Sequence, residues 1–195
     1  MQQQDKRQLI LAAAAQVYAA HGFHQATIEQ IADAAGVGKG TVYLYFKSKR
    51  KLFDSLLFES LQRLIAHTKE VIESQSEPLT RLRRLTNIHL RIFERNHPLL
   101  QVILREFTPD KLQHLRPELE QCVQELMDLY VHILQEGMAS GSLRPHNPKV
   151  AALAFLGAVN QVGVAHNRGH LNLTLAEREE ELYRLFVGGL RNERC

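Results

Sequence analysis

Apolar residues recur every three or four positions along nearly the whole chain, and no segment alternates convincingly between apolar and polar residues. This period is typical of amphipathic helices, whereas a half-buried strand would show a period of two. The pattern therefore predicts an all-α protein of about nine to ten helices. Besides two short helices within residues 27–46, helices are expected over residues 6–20, 48–74, 78–95, 98–106, 109–115, 117–140, 148–167 and 174–191.

Residues 27–49 have the pattern of two short helices joined by a tight turn. Thr27 followed by Gln30 three positions later is the signature of a capping box at a helix start. Gly36 supplies the turn, where a residue with a Cβ atom would be strained at positive φ. The apolar face of the first helix is expected to comprise Ile28, Ile31 and Ala32, with Val37 and Val42 packed against it. The segment predicts a helix-turn-helix.

The second short helix has a polar and aromatic face that core packing does not explain. Once the two valines are buried, the outer surface comprises Lys39, Gly40, Thr41, Tyr43, Leu44 and Tyr45. Ammonium, hydroxyl and phenol groups suit phosphate oxygens and base edges in a DNA major groove. Lys39 is the predicted base reader, since lysine can donate to guanine O6 and N7. The predicted partner is double-stranded DNA.

Basic residues are concentrated around this segment. Residues 1–51 hold seven Lys/Arg and three Asp/Glu, which gives +4; because the whole chain is +3, residues 52–195 carry −1. Such an asymmetry is the expected electrostatic footprint of a DNA-binding region. Arg50 and Lys51 extend the basic cluster of Lys47 and Lys49, which predicts a steep salt dependence of DNA binding. The alternative for Arg50 and Lys51 is an ordinary solvated surface.

Residues 36–41, GVGKGT, also resemble part of a phosphate-binding loop. That loop needs another glycine where this chain has Asp33, and it must follow a buried strand. The preceding residues, IEQIADAA, are helical in period and poor in β-branched side chains. A nucleotide-dependent enzyme is therefore disfavoured, and no nucleophile–base–acid motif supports another kind of catalysis. We expect neither enzyme activity nor a cofactor.

The first 53 residues resemble the DNA-binding domain of the TetR family of bacterial transcriptional repressors. The family motif is matched in register by Gly22, Phe23, Thr27, Ile31, Ala32, Ala35, Gly36, Val37, the run Lys39 to Phe46, and Lys49. The resemblance implies a three-helix helix-turn-helix head at residues 1–50 and a helical-bundle body for ligand binding and dimerisation at residues 51–195. By the family pattern, phosphate contacts would come from Tyr43 and Lys49, joined by Thr27 and Lys47.

The same resemblance implies two further surfaces in the body. The last two helices would pair with those of a second copy, through Phe155, Val159, Val162, Leu182 and Phe186. A cavity for a small hydrophobic effector would be lined by Ile88, His89, Ile92, Ile103, Leu104, Phe107, Tyr130 and Phe155. An apolar pocket with few polar groups suits such a molecule. Ordinary core packing is the alternative interpretation of each of these residues.

Other features bear on metals, compartment and membranes. His166 and His170 are spaced as in helical zinc pairs, but Gly169 lies between them and no third ligand is near in sequence. Cys122 and Cys195 lack metal-ligand spacing and are interpreted as reduced thiols. No metal site is therefore expected. No apolar run approaches the length of a membrane span, and the N-terminus lacks a signal-peptide core, so we expect a cytoplasmic protein without a membrane partner.

These features predict a ligand-responsive, DNA-binding transcriptional regulator. In its simplest form it is a repressor that binds a palindromic operator as a homodimer. A small hydrophobic effector, such as a fatty acyl-CoA or a drug-like compound, would release it. The alternative is a helix-turn-helix regulator whose body binds a protein partner and no small effector.

Overall fold

A computed structural model of the chain describes residues 2–74, 77–95 and 117–190, which contain helices and no strands. The eight helices are α1 (Gln2–Gln25), α2 (Ile28–Ala34), α3 (Lys39–Tyr45), α4 (Lys49–Glu73), α5 (Pro78–Arg95), α6 (Pro117–Ala139), α7 (Pro148–Asn167) and α8 (Leu175–Leu190). The all-α prediction is confirmed. Eight of the expected nine to ten helices are observed, and the helices predicted over 98–106 and 109–115 lie outside the described residues.

The regular part of α1 ends at Gly22, close to the predicted helix end at residue 20. Gly22 has φ 73° and ψ 164°, which breaks the helix before its last residues. Upstream of this break, α1 turns a buried face inward that includes Ile10, Ala14 and Tyr18. Positive φ is accessible to glycine without the steric cost that a Cβ atom would add. The chain can therefore change direction just before α2.

The core around α1 to α4 is closed by aromatic side chains. The Tyr18 and Phe53 rings meet edge to face with centroids 5.3 Å apart, and Phe23 lies 4.8 Å from Phe53. The Tyr18 hydroxyl donates to the Lys49 carbonyl oxygen at 3.1 Å. Burial, together with the charge of Asp54, raises the pKa of Tyr18, so the phenol stays protonated as a donor. This hydrogen bond fixes the first turn of α4 against α1.

The described residues divide into two compact units. One comprises residues 2–62 and 117–120, and the other comprises residues 63–74, 77–95 and 121–190. The division falls inside α4 and α6, so it does not mark the end of a DNA-binding domain. The predicted boundary at residue 50 stays a prediction.

In the second unit, α5 packs against α7 and α8. Its polar face is tied to α8 by ion pairs from Arg83 to Glu179 at 3.0 Å and to Glu180 at 2.8 Å. Asn87 donates to the same Glu179 carboxylate. These contacts fix the register of α5 and α8.

Helix α7 is more apolar than expected, because the sequence analysis found no apolar run close to the length of a membrane span. Within the described residues it alone has the length and composition of a membrane-crossing helix. Core helices of soluble proteins pass the same test, and one face of α7 is buried in the protomer through Ala151, Ala152, Phe155, Val159 and Gly163. One such helix is weak support for a membrane span.

Candidate nucleic-acid interface

Helices α2 and α3 form the predicted helix-turn-helix. The Thr27 hydroxyl accepts the Gln30 backbone N–H at 3.2 Å, and the Gln30 side chain accepts the Thr27 N–H at 2.9 Å, which completes the capping box. Gly36 lies in the turn with φ +65°. Ile31 and Val42 are fully buried, so α3 packs on α2 through the predicted apolar positions. The local prediction for this motif is confirmed.

The outer face of α3 is exposed and mixed in chemistry. Leu44 is 67% exposed and Tyr43 is 41% exposed, while Gly40 has no atom within 4 Å of the place where a Cβ would stand. Thr41 is half-buried. Tyr45, predicted on the same outer face, is instead half-buried and packed against the head core. The exposed face of α3 therefore lacks the Tyr45 phenol that the sequence predicts there.

Lys39 begins α3 and is paired with Glu29 in the first turn of α2. Its ammonium donates to the Glu29 carboxylate, and both side chains are about half exposed. This hydrogen bond lowers the pKa of Glu29 and raises the pKa of Lys39, so both groups remain charged. The predicted base reader therefore carries an internal counter-ion at the surface, which the sequence pattern did not indicate.

Lys49 is half-buried and makes two hydrogen bonds to the backbone. Its ammonium donates to the carbonyl oxygens of His24 at 3.0 Å and Ala26 at 2.9 Å, and it lies 5.0 Å from the Phe23 ring centroid. Both carbonyls lie beyond the break in α1, so no following helical turn supplies N–H donors to them. Two of the three ammonium donors of Lys49 are therefore directed to the backbone, one is left, and the predicted phosphate contact of Lys49 stays a prediction.

Two further basic residues at the start of α4 differ in their surroundings. Arg50 Nε donates to Asp54 Oδ1 at 2.9 Å, and Asp54 is buried. Lys47 is exposed, and no described residue forms an ion pair with it. Among the described residues Lys47 therefore has no acidic partner, whereas Arg50 compensates a buried carboxylate.

In the body, three of the predicted effector-binding residues lie in one aromatic cluster. The His89 and Tyr130 rings are 5.7 Å apart, and Tyr130 lies 5.4 Å from Phe155. The Tyr130 hydroxyl and His89 Nε2 are hydrogen-bonded. Burial lowers the pKa of His89 to about 4, and it raises the pKa of Tyr130, an effect partly offset by a hydrogen bond with Thr68. At neutral pH both groups are uncharged, and the imidazole tautomer sets which of them donates.

The remaining predicted effector residues are only partly accounted for. Ile88 and Ile92 are half-buried on α5, next to the cluster in sequence. Ile103, Leu104 and Phe107 lie outside the described residues. The cluster is thus a buried polar pair in an apolar setting, and its role as part of a ligand pocket stays a prediction.

The predicted dimer residues are divided between the interior and the surface. Phe155, Val159 and Leu182 are only 3%, 1% and 7% exposed within the single protomer, so they are removed from the predicted contact surface. Val162 and Phe186 are half-buried. The large apolar side chains of α7 and α8 that do face outward are Val150, Leu153 and Leu185. Val150 and Leu185 line an open groove of about 380 Å³ between the two helices.

One buried charge was missed by the sequence analysis. Arg178 is 1% exposed; it pairs with Glu94 and donates to the Thr174 carbonyl at 3.2 Å, while its Nη1 has no hydrogen-bond partner among the described residues. A signal was available, since Arg178 lies four residues before the buried Leu182 and therefore shares its helix face. Without knowledge of its partner Glu94 on α5, an arginine at such a position would be predicted to lie at the surface.

Two protein-family models match this chain, one over the helix-turn-helix region and one over the body. The family model described as "Bacterial regulatory proteins, tetR family" matches residues 10–56, and one described as "Tetracyclin repressor-like, C-terminal domain" matches residues 75–164. A helix-turn-helix followed by a helical body of this type defines a DNA-binding transcriptional regulator. The chain belongs to the TetR family of bacterial regulators.

Individual relatives align over nearly the whole chain. The Fatty acid metabolism regulator protein of Bacillus subtilis is 26% identical over 98% of this chain and 99% of its own. The HTH-type transcriptional repressor KstR2 of Mycobacterium tuberculosis is 27% identical over 96% and 94%. Among solved structures, FadR from Bacillus subtilis in complex with stearoyl-CoA has a TM-score of 0.82 at 25% identity, over 93% of this chain and 98% of that chain.

Proposed function

We propose that the protein is a cytoplasmic repressor that binds a palindromic operator as a homodimer and is released by a long-chain fatty acyl-CoA. The observation that carries the DNA part is the exposed outer face of α3, supported on a buried helix-turn-helix core. The effector part is supported by the likeness, along almost the whole chain, to a regulator solved with stearoyl-CoA. That likeness also favours a sensing body over a body that binds only a protein.

On the DNA side, we assign base contacts to the exposed end of the head. Lys39 would read guanine in the major groove, and Thr41 and Leu44 would lie against neighbouring base edges and sugars. Phosphates would be contacted by Tyr43 and Lys49, joined by Thr27 and Lys47, and such contacts position the protein without reading sequence. The open space beside Gly40 would let the α3 backbone approach the DNA.

A dimer follows from the size of this surface. One such short helix makes few base contacts, so a two-fold dimer that reads two half-sites about 34–36 Å apart would supply the specificity. The outward apolar side chains Val150, Leu153 and Leu185 are the surface that we assign to the second copy. They replace the buried Phe155, Val159 and Leu182 in that role.

The effector would act by differential affinity for two states of the dimer. The acyl chain would lie in the body, beside the His89–Tyr130–Phe155 cluster, in the predicted domain that follows residue 50. Binding there would favour a state in which the two heads no longer match the half-site spacing. By linkage, operator DNA must weaken effector binding by the same factor.

The test begins with selection of operators from random duplexes. A palindromic consensus and a dimer in sedimentation at micromolar concentration are expected. Binding is then followed by anisotropy of a fluorescent label on the selected duplex, since the chain contains no tryptophan as an intrinsic probe. Stearoyl-CoA is expected to release the duplex, while coenzyme A alone and stearate alone serve as matched controls for the two halves of the ligand.

Each arm can contradict a separate part of the proposal. A monomer, or a consensus without two-fold symmetry, would overturn the symmetric-operator model. Retention of the duplex at saturating stearoyl-CoA would remove acyl-CoA as the effector and leave DNA binding intact. Release by coenzyme A alone would move the recognition from the acyl chain to the nucleotide part.

A further inference from the structure

Glu29 is an exposed acidic residue at the start of α2, where it pairs with the first residue of α3. It follows Ile28, the first residue of α2, and its carboxylate accepts a hydrogen bond from Lys39, the first residue of α3. The side chains are 52% exposed for Lys39 and 56% for Glu29. Such an exposed pair contributes little to folding stability. Its placement at the head of α3 therefore matters mainly for what Lys39 can bind.

The ammonium of Lys39 has three donors, and the pair with Glu29 uses one of them. Two donors remain, which is the number that guanine can accept through O6 and N7. When Lys39 reads guanine, the pair with Glu29 can therefore be kept. When Lys39 instead approaches a phosphate, Glu29 is brought towards the same negative charge and the attraction is largely cancelled.

We propose that Glu29 is a specificity-determining residue, which suppresses non-specific binding by Lys39 to phosphates while permitting its contact with guanine. This inference rests on the proposed binding of operator DNA through α3. Non-specific affinity comes almost wholly from neutralised phosphates, so one lysine with an internal counter-ion is one phosphate contact fewer. Sequence-specific complexes lose less, because hydrogen bonds to base edges contribute part of their affinity.

The test substitutions are Glu29→Gln and Asp33→Asn, measured in the full-length protein. Asp33 is the matched control: it lies one turn further along α2, is also exposed, and loses the same charge on substitution. Affinities are measured for the selected operator and for a random-sequence duplex across a range of salt concentrations. The Lys39→Ala background is included to complete a double-mutant cycle.

Glu29→Gln is expected to tighten binding to the random duplex by up to about fivefold, with a smaller gain on the operator. On the random duplex, the plot of log affinity against log salt should become steeper by about 0.9. Asp33→Asn should shift both duplexes by one common factor. In the Lys39→Ala background, Glu29→Gln should no longer change the ratio of the two affinities.

Equal shifts on both duplexes by Glu29→Gln, matching those of Asp33→Asn, would overturn the inference and leave only a general charge effect. An unchanged salt slope on the random duplex would also overturn it. If the wild-type protein selects no operator at all, the proposed function fails first, and that result is visible before any variant is made.

Discussion

The buried histidine of the body makes stability depend on pH in a direction that can be tested. His89 is 5% exposed and neutral, and its imidazole pKa is about 4 in the folded protein, against 6.5 for an unperturbed histidine. Between these values the unfolded chain binds a proton that the folded chain does not. Folding stability is therefore complete above the unfolded pKa and is lost as the pH falls below it.

The magnitude follows from the two pKa values. At about pH 7 only about a quarter of the unfolded chains are protonated at this position, so the loss is close to zero. At about pH 5 the unfolded state is almost fully protonated, while the folded state is still mostly neutral, which lowers the free energy of unfolding by about 2 kcal/mol. Below about pH 4 the folded histidine also takes up the proton, and the loss from this group levels off.

The perturbation is His89→Gln, which removes the titrating group and keeps a polar side chain near Tyr130. Urea unfolding is followed by far-UV circular dichroism at neutral and acidic pH, and hydrogen exchange of peptides from α5 and α6 assigns the transition to this unit. The wild-type midpoint should fall by about 1 M urea more than that of the variant on acidification. Tyr130→Phe is the control: it breaks the hydrogen bond but keeps the histidine, so the dependence on pH should remain. Parallel pH profiles of wild type and His89→Gln would refute the buried, neutral imidazole.

Two matched pairs of substitutions test the head. Lys49→Met should lower the free energy of unfolding by about 1–2 kcal/mol, because it removes two charge-assisted hydrogen bonds to the end of α1. Lys47→Ala should change the free energy of unfolding by less than about 0.5 kcal/mol. It should also flatten the salt slope of DNA binding by about 0.9. If Lys47→Ala destabilises more than Lys49→Met, their assigned roles are reversed. Gly36→Ala should cost about 1–2 kcal/mol at its positive φ, measured by thermal unfolding. Gly40→Ala should gain up to about 1 kcal/mol from helix propensity while weakening operator binding, and unchanged binding would place the α3 backbone away from DNA.

The helix-turn-helix could be predicted from sequence because its determinants are local. The capping box of Thr27 and Gln30, the positive φ of Gly36 and the burial of Val42 depend on neighbours within about fifteen residues. Each of these positions is identified by spacing or by a backbone requirement that few residue types can meet. The helix bounds were predicted to within a few residues for the same reason.

The fate of each basic side chain could not be predicted in this way. Lys39, Lys47 and Lys49 look alike in sequence, yet the first is paired with a carboxylate, the second is exposed, and the third is directed to backbone carbonyls. What separates them is the position of α1 and α2 relative to each lysine, a tertiary property. A motif match therefore identifies the DNA-binding region, but it does not identify which cations remain free for phosphate.

The same limit explains the error on α7 and α8. Both helices carry apolar residues around more of their circumference than one contact requires, so periodicity alone cannot tell the face that packs on α5 from the face that awaits a second copy. The tertiary contacts resolve this: Phe155 and Val159 face inward, while Val150 and Leu153 face outward on the same helix. Because Phe155 faces inward, it brings α7 next to the buried His89–Tyr130 pair. The opposite face of α7 is the one proposed to contact the second copy. A ligand that displaces Phe155 would therefore act directly on the helix that is proposed to contact the second copy.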